Sequence, residues 1–191
     1  FNHCDNLEEL GFTINGAFAE YVAVDAKYCW LINDLVDTYG DEDKAFEAGA
    51  MVEPTSVAYN AMFPRAGGFP PGGVVTVYGA GPIGLASIAL AKAAGASLVI
   101  AFEISEVRRR LASKIGADYV FDPVELARQG SSPSQQVMEL TKGLGADLQV
   151  EAAGAPAQII PEMEKSLAVN GKITQIGRAA ERVSMYLEAL Q

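Results

Sequence analysis

The chain has 191 residues, half of them hydrophobic and a fifth charged, which is enough apolar material for one good core or two small domains. Its formal net charge of -10 opposes binding to nucleic acid or to an anionic membrane surface, so we expect neither as a partner. Two cysteines cannot form a disulfide framework in a chain of this size, and we expect a reducing compartment, by default the cytoplasm.

The segment before Gly73 carries mixed patterns. GAFAEYVAVD alternates between apolar and polar residues, which predicts a strand, and Cys29 shortly after it is expected to be small and buried. The acidic stretch NDLVDTYGDEDK favours a surface loop or a short helix, whereas AFEAGAMV and PTSVAYNAMF favour helices. We therefore divide the chain into domains of residues 1–50 and 51–191.

After Gly73 the sequence alternates between strands and helices. Five strands are predicted at VVTVY, LVIAF, DYVF, DLQVEA and KITQIG, and four helices at residues 83–94, 106–115, 134–142 and 157–168. Strands that are apolar almost throughout predict a parallel sheet covered on both faces, that is, a doubly wound α/β domain. Such a sheet usually has six strands, and the chain begins with Phe1, so we expect an internal piece of a longer protein.

The run from Val74 to Ala91 carries no charge and is long enough for a membrane span. It also holds three glycines and a proline within residues 79–84, a cluster that breaks the regular helix a bilayer requires. A strand, a turn and a helix explain this run better than a span does.

The turn GAGPIG has the spacing of a dinucleotide phosphate loop. Gly79 would permit the tight turn, Gly81 the approach of a pyrophosphate, and Gly84 close packing of helix on strand. A helix that starts at Pro82 and Ile83 would direct its unpaired N–H groups at the phosphates. The alternative is an ordinary tight turn in an α/β protein.

Glu103 ends the second predicted strand, nineteen residues beyond Gly84, where a carboxylate accepts from the ribose hydroxyls of an adenosine. Because a 2'-phosphate beside this carboxylate would be a like-charge contact, Glu103 favours NAD over NADP. One residue of the Arg108–Arg110 run could turn toward such a phosphate, although three successive arginines on a helix are more often a solvated face.

With these patterns, the chain resembles the zinc-dependent medium-chain alcohol and polyol dehydrogenases, in the sorbitol, threonine and scyllo-inosose dehydrogenase branch. The resemblance rests on the segments NHCDN, GAFAEYV, VEPTSVAYNA, VVTVYGAGPIGLASIALAKAAGA and GADLQVEAAGAP. It implies an incomplete Rossmann domain after the remnant of a β-rich, GroES-like catalytic domain. It also implies a homo-oligomeric parent enzyme that uses NAD and zinc to oxidise a secondary alcohol (a polyol, sugar or cyclitol) to a ketone.

The resemblance implies two metal-ligand positions. Cys4 matches the last of four cysteines around a structural zinc, but a single thiolate cannot hold a tetrahedral ion. Glu53 matches the carboxylate that polyol dehydrogenases offer to the catalytic zinc or to its bound water. A second interpretation of Glu53 is that it only caps the helix that starts at Pro54.

The resemblance also implies where the remaining cofactor contacts lie. Arg108 would lie near the adenosine, and the nicotinamide end would pass the turn after the fourth strand and the backbone after the fifth. These positions are Ala152, Ala153, Gly154, Ile176 and Gly177. For the two alanines, plain packing at a strand end is an equal alternative.

Two other functions compete with the dehydrogenase. The chain could be a nucleotide-binding module without catalysis, because it lacks most of the family's zinc ligands, and we expect the 191 residues alone to be inactive. It could also be an S-adenosylmethionine-dependent methyltransferase, although such enzymes usually place an acidic residue before the first glycine, where this chain has Tyr78.

Overall fold

A computed structural model describes residues 4–178 and 182–186. The chain divides into two compact units, residues 1–49 and 50–191. We expect from the sequence that the chain is an internal piece of a longer protein. That expectation concerns the two ends of the chain, which lie outside the described ranges. Among the described residues, no helix is long and apolar enough to cross a membrane.

The described part of the first unit contains short helices and no strand. A 3-10 turn at Ala26–Tyr28 precedes α1 (Asn33–Tyr39) and α2 (Glu42–Ala50), so the acidic segment is helical. The strand predicted in GAFAEYVAVD is wrong, because residues 16–25 form bends and irregular backbone. Alternation produces a stable strand only where neighbouring strands pair with it. Cys29 is exposed, so the prediction of its burial is also wrong.

The second unit is built on a five-stranded, fully parallel sheet, as predicted. Its strands are β1 (Val74–Tyr78), β2 (Leu98–Phe102), β3 (Tyr119–Phe121), β4 (Ala146–Glu151) and β5 (Leu167–Gln175). Their order is β3-β2-β1-β4-β5. The chain thus builds outward from β1 in one direction and then returns to the other side with β4, which creates a switch point between β1 and β4.

Helices connect these strands. They are α3 (Val52–Asn60, continued by a π-helical turn at Ala61–Arg65), α4 (Pro82–Ala93), α5 (Glu106–Ile115), α6 (Pro123–Arg128), α7 (Pro133–Leu140) and α8 (Pro156–Lys165). The predicted helices match α4, α5, α7 and α8 to within a few residues at each end.

Two elements of the second unit differ from the sequence prediction, one helix and the start of one strand. The prediction lacks α6, although its signal is present: Asp122 caps the helix by accepting from the Val124 and Glu125 N–H groups, and Pro123 occupies the first position. Strand β5 begins at Leu167, five residues before the predicted start, because Asn170 and Gly171 suggest a turn in the sequence but lie within the strand.

Both faces of the sheet are covered by apolar side chains. On one face Val77 of β1 shares a buried cluster with Ile88 of α4. On the other face Ile100 of β2 shares a cluster with Val137 of α7 and Ile160 of α8. The uncharged run of residues 74–91, which is long enough for a membrane span, is therefore a central strand followed by the helix that covers it.

The carboxylate of Glu162 in α8 forms hydrogen bonds to Ser134 in α7. Glu162 Oε2 accepts from the backbone N–H of Ser134 at 3.0 Å and from its hydroxyl at 2.7 Å, and Lys165 approaches Oε1 at 3.0 Å. Partial burial raises the pKa of Glu162, but these hydrogen bonds outweigh burial and lower the pKa to about 2. The ionised form therefore stabilises the folded chain.

We predict that Glu162→Gln lowers the free energy of unfolding at neutral pH by about 1.5–3 kcal/mol, because a charged hydrogen-bond acceptor is lost. Since the folded pKa of Glu162 lies below its unfolded value, its contribution is complete above the unfolded pKa and disappears as pH falls toward about 2. The variant should therefore lose less stability than the wild type between pH of about 5 and about 2. Urea unfolding at several pH values measures this.

Glu139→Gln, on an exposed position of α7, is the matched control and should retain the wild-type pH dependence. Identical pH profiles for Glu162→Gln and the wild type would show that the hydrogen bonds to Ser134 do not stabilise the fold.

Candidate functional site

The carboxyl ends of the strands meet at one edge of the sheet. Tyr78 is in register with Phe102 of β2 and Glu151 of β4, and Glu151 is in register with Gln175 of β5. The cofactor residues predicted from the sequence lie in the turns that follow these strands and in the first turns of α4 and α5. In doubly wound sheets, the crevice at this edge, beside the switch point, is where ligands bind.

Gly79 makes the turn out of β1. Its φ of +92° is a conformation that side chains rarely adopt, and a Cβ there would lie 2.9 Å from Ala153. Its N–H donates to the Phe102 carbonyl at 2.8 Å. The turn after β1 is therefore fixed against both β2 and the turn after β4.

Gly81 and Gly84 differ in their surroundings. A Cβ on Gly84 would collide with the Gly79 carbonyl oxygen, so only glycine allows α4 to pack this closely on β1. A Cβ on Gly81 would meet no atom within 4 Å. Gly81 is the N-cap of α4 and Pro82 follows it, so open space lies at a helix N-terminus whose first N–H groups have no intrahelical acceptor.

Glu103 is 5% exposed and holds the same turn. Its Oε2 accepts from the Ala80 N–H at 2.7 Å and its Oε1 from the Ser105 N–H at 2.8 Å. The sequence predicts only a ribose contact for this carboxylate, because its contact with the glycine-rich turn depends on how β1 and β2 pair. Each carboxylate oxygen has two acceptor sites, so the bonds to Ala80 and Ser105 leave capacity for a ligand hydroxyl.

The three arginines of α5 have different surroundings. Arg109 is partly buried, and its guanidinium donates to the Glu103 carbonyl at 2.9 Å and lies 2.9 Å from Asp122. Arg110 is exposed and lies 3.8 Å from Glu106. Arg108 is exposed in the first turn of α5 and forms no ion pair within the described ranges. Arg109 is therefore held within the protein, and the role of Arg108 at the adenosine stays a prediction.

Residues 152–155 form the turn after β4, the β4 turn. The Ala152 N–H donates to the Tyr78 carbonyl at 2.8 Å, which joins this turn to β1. Gly154 has φ of +72°, and a Cβ on it would lie 2.8 Å from the Arg178 carbonyl oxygen. The β4 turn is thus packed between the ends of β1 and β5.

The backbone after β5 is bound to the end of β4. The N–H groups of Ile176 and Gly177 donate to the Glu151 carbonyl at 2.9 Å and 3.0 Å. A Cβ on Gly177 would collide with the Gly154 N–H and the Glu151 carboxylate. The five positions predicted for the nicotinamide end therefore form one contiguous surface, and their contact with a cofactor stays a prediction.

The predicted metal ligands do not form a metal site. Cys4 is exposed in the first unit. Glu53 is exposed and is the second residue of α3, whose N-cap is Met51, so Glu53 is not the capping residue. In the part of the chain that the structure describes, no three His, Cys, Asp or Glu residues lie close enough together to hold an ion. These residues do not by themselves fit zinc, which takes four ligands.

Comparison with known proteins finds dehydrogenases, both by family model and by individual relatives. A family model described as zinc-binding dehydrogenase matches residues 82–190. Scyllo-inosose 3-dehydrogenase from Thermotoga maritima is 47% identical over all of this chain and 48% of its own length. L-threonine 3-dehydrogenase from Thermococcus kodakarensis is 35% identical over 97% of this chain and 48% of its own length.

The fold comparison agrees with the sequence comparison. A solved structure from Thermotoga maritima matches with a TM-score of 0.90 at 47% identity, covering 99% of this chain and 47% of that one. This chain therefore spans about half the length of the relatives it matches. Together with the glycine-rich turn and the parallel sheet, these matches show that the chain belongs to the zinc-binding dehydrogenase family.

Proposed function

We propose that this chain is the dinucleotide-binding part of an NAD-dependent dehydrogenase that oxidises a secondary alcohol, of the polyol, sugar or cyclitol class, to a ketone. The names of its relatives, scyllo-inosose 3-dehydrogenase and L-threonine 3-dehydrogenase, support alcohol oxidation as the reaction class. The same family membership argues against the methyltransferase alternative.

The open space at Gly81 is the observation that carries this proposal. It lies at the N-cap of a twelve-residue helix, while the flanking glycines are tightly packed. A glycine whose Cβ would meet nothing is not needed for packing, and its φ of -71° suits any residue. Access for a ligand explains a glycine there, and the helix N-terminus favours an anionic one. A pyrophosphate meets both conditions.

The other residues of the edge have distinct roles in this proposal. Glu103 receives the hydroxyls of the adenosine ribose, and Arg108 lies near the adenosine. The β4 turn and the backbone at Ile176 and Gly177 align the nicotinamide end. When bound, the nicotinamide supplies the carbon that accepts hydride, and the protein supplies orientation.

Zinc has no complete site among the described residues, and we assign no step to it. We propose Glu53 as a contributor to a catalytic zinc, directly or through water, and Cys4 as one ligand of a structural zinc. Both roles need ligands that the described residues do not bring together. By itself, the 191-residue chain is then a nucleotide-binding module. Its two unpaired, exposed cysteines fit a reducing compartment such as the cytoplasm.

We predict that Gly81→Ala folds normally and loses cofactor affinity. Its free energy of unfolding should stay within about 0.5 kcal/mol of the wild type, because the backbone tolerates alanine and the methyl meets no atom. The dissociation constant for NADH should rise at least about tenfold, because the methyl would occupy the space for the pyrophosphate. Urea unfolding and fluorescence titration with NADH measure the two effects.

Gly49→Ala adds the same methyl group to α2, in the first compact unit, and should leave NADH affinity unchanged. Wild-type NADH affinity in a stable Gly81→Ala variant would remove the pyrophosphate from this turn and leave the turn a purely structural element.

We also predict that the wild type binds NADH more tightly than NADPH, and that Glu103→Gln narrows this preference. The variant should bind NADH about tenfold more weakly, because a charged acceptor for the ribose hydroxyls is lost. Its loss of NADPH affinity should be smaller, because removal of the like charge beside the 2'-phosphate offsets part of the loss, while the weakened bonds to the backbone at Ala80 and Ser105 affect both cofactors alike. Parallel titrations with both cofactors measure this.

Glu106→Gln is the matched control, since Glu106 is exposed in the first turn of α5 and should not affect either affinity. Tighter binding of NADPH than of NADH by the wild type would contradict the assigned role of Glu103.

A further inference from the structure

Glu151 is a buried carboxylate at the carboxyl edge that no proposed cofactor contact uses. It is the last residue of β4, and its side chain is fully buried. A charged group is stable in such a place only where hydrogen bonds replace its hydration. The arrangement of those bonds therefore indicates what the residue does.

One oxygen of Glu151 organises the β4 turn. Oε1 accepts from three successive backbone N–H groups, at 3.0 Å from Ala153, 2.7 Å from Gly154 and 3.3 Å from Ala155. Hydrogen bonds to an ionised acceptor are about twice as strong as neutral ones. The course of the β4 turn is therefore set by this one oxygen.

The other oxygen joins the β4 turn to the end of β5. Oε2 accepts from the side-chain amide of Gln175, and the same amide nitrogen donates to the Gly177 carbonyl at 2.6 Å. Gln175 thus bridges the carboxylate and the backbone beyond β5. This bridge fixes Gly177 against Gly154, where a Cβ would have no room.

The β4 turn is also in contact with the glycine-rich turn, because a Cβ on Gly79 would lie 2.9 Å from Ala153. The two turns lie on either side of the switch point between β1 and β4. A change in the course of the β4 turn would therefore alter the surface offered to the part of the ligand that extends beyond the pyrophosphate.

We infer that Glu151 and Gln175 are positioning residues for the nicotinamide end of the cofactor. This inference rests on the proposed function. They act through the backbone of the β4 turn and of Gly177, and neither side chain needs to touch the ligand. A purely structural role would weaken binding of every nucleotide alike, whereas positioning affects only ligands that carry a nicotinamide.

The test compares NADH with ADP-ribose, which has the same adenosine, pyrophosphate and ribose but no nicotinamide. In the full 191-residue chain, Glu151→Gln should raise the dissociation constant for NADH about tenfold, because a neutral amide replaces the charged acceptor and its NH2 faces the Gln175 amide. The dissociation constant for ADP-ribose should stay within about twofold. Calorimetric titration measures both.

Gln175→Met is the second variant, since it keeps the side-chain length and leaves the three bonds to Oε1 intact. It should weaken NADH binding about threefold to tenfold and leave the affinity for ADP-ribose unchanged. If Glu151→Gln does not fold, the Gln175→Met result tests the positioning role. Asp147→Asn is the matched control. Its carboxylate accepts from the Val74 N–H at 2.7 Å at the opposite end of β4, and both affinities should stay at wild-type values.

The outcomes separate the inference from the function on which it rests. Failure of the wild type to bind either ligand would overturn the proposed function and the inference with it. Wild-type NADH affinity in the folded variants would overturn only the positioning role, and so would equal weakening of NADH and ADP-ribose.

Discussion

The close approach of the turns after β1 and β4 is the constraint on which the candidate site depends. Gly79 has a positive φ and lies directly against Ala153, and the parallel register of β1 with β4 brings these turns together. Gly84 lets α4 pack against the same turn, which directs the helix N-terminus at the crevice. Because both contacts require a missing Cβ, the packing of this edge is set by glycines, whereas a Cβ on Gly81 would meet no atom within 4 Å.

Carboxylates at the strand ends hold the loops of this edge in place. Glu103 accepts from the backbone of the glycine-rich turn, and Glu151 accepts from the backbone of the β4 turn. Both are buried, yet each is bound by N–H groups of short loops that lack regular backbone partners. The two acids therefore stabilise conformations that the loops would not hold alone, and a rigid edge lowers the entropic cost of ordering a ligand.

Much of the second unit could be predicted from the sequence, because strand and helix periods and glycine spacing are local signals. The glycine-rich turn and Glu103 follow from the spacing of one strand, turn and helix. The role of Glu151 could not be predicted, because it depends on the register of β4 with β5 and on the course of a loop. In the sequence its one signal is a carboxylate directly after Val150, near the end of the fourth predicted strand. Periodicity gives a wrong strand in residues 16–25, where alternation is present but no strand among the described residues pairs with them.

The chain spans about half the length of the relatives it matches. In the proposed function it binds the cofactor, and groups outside the described residues supply part of the alcohol chemistry. We propose that NAD lies across the switch point with its pyrophosphate at Gly81. A crystal structure of the chain with NAD tests this most directly. We expect the pyrophosphate at the N-terminus of α4, the adenosine ribose on Glu103 and the nicotinamide beside the β4 turn. A nucleotide bound elsewhere, or one whose phosphates lie away from α4, would contradict the account.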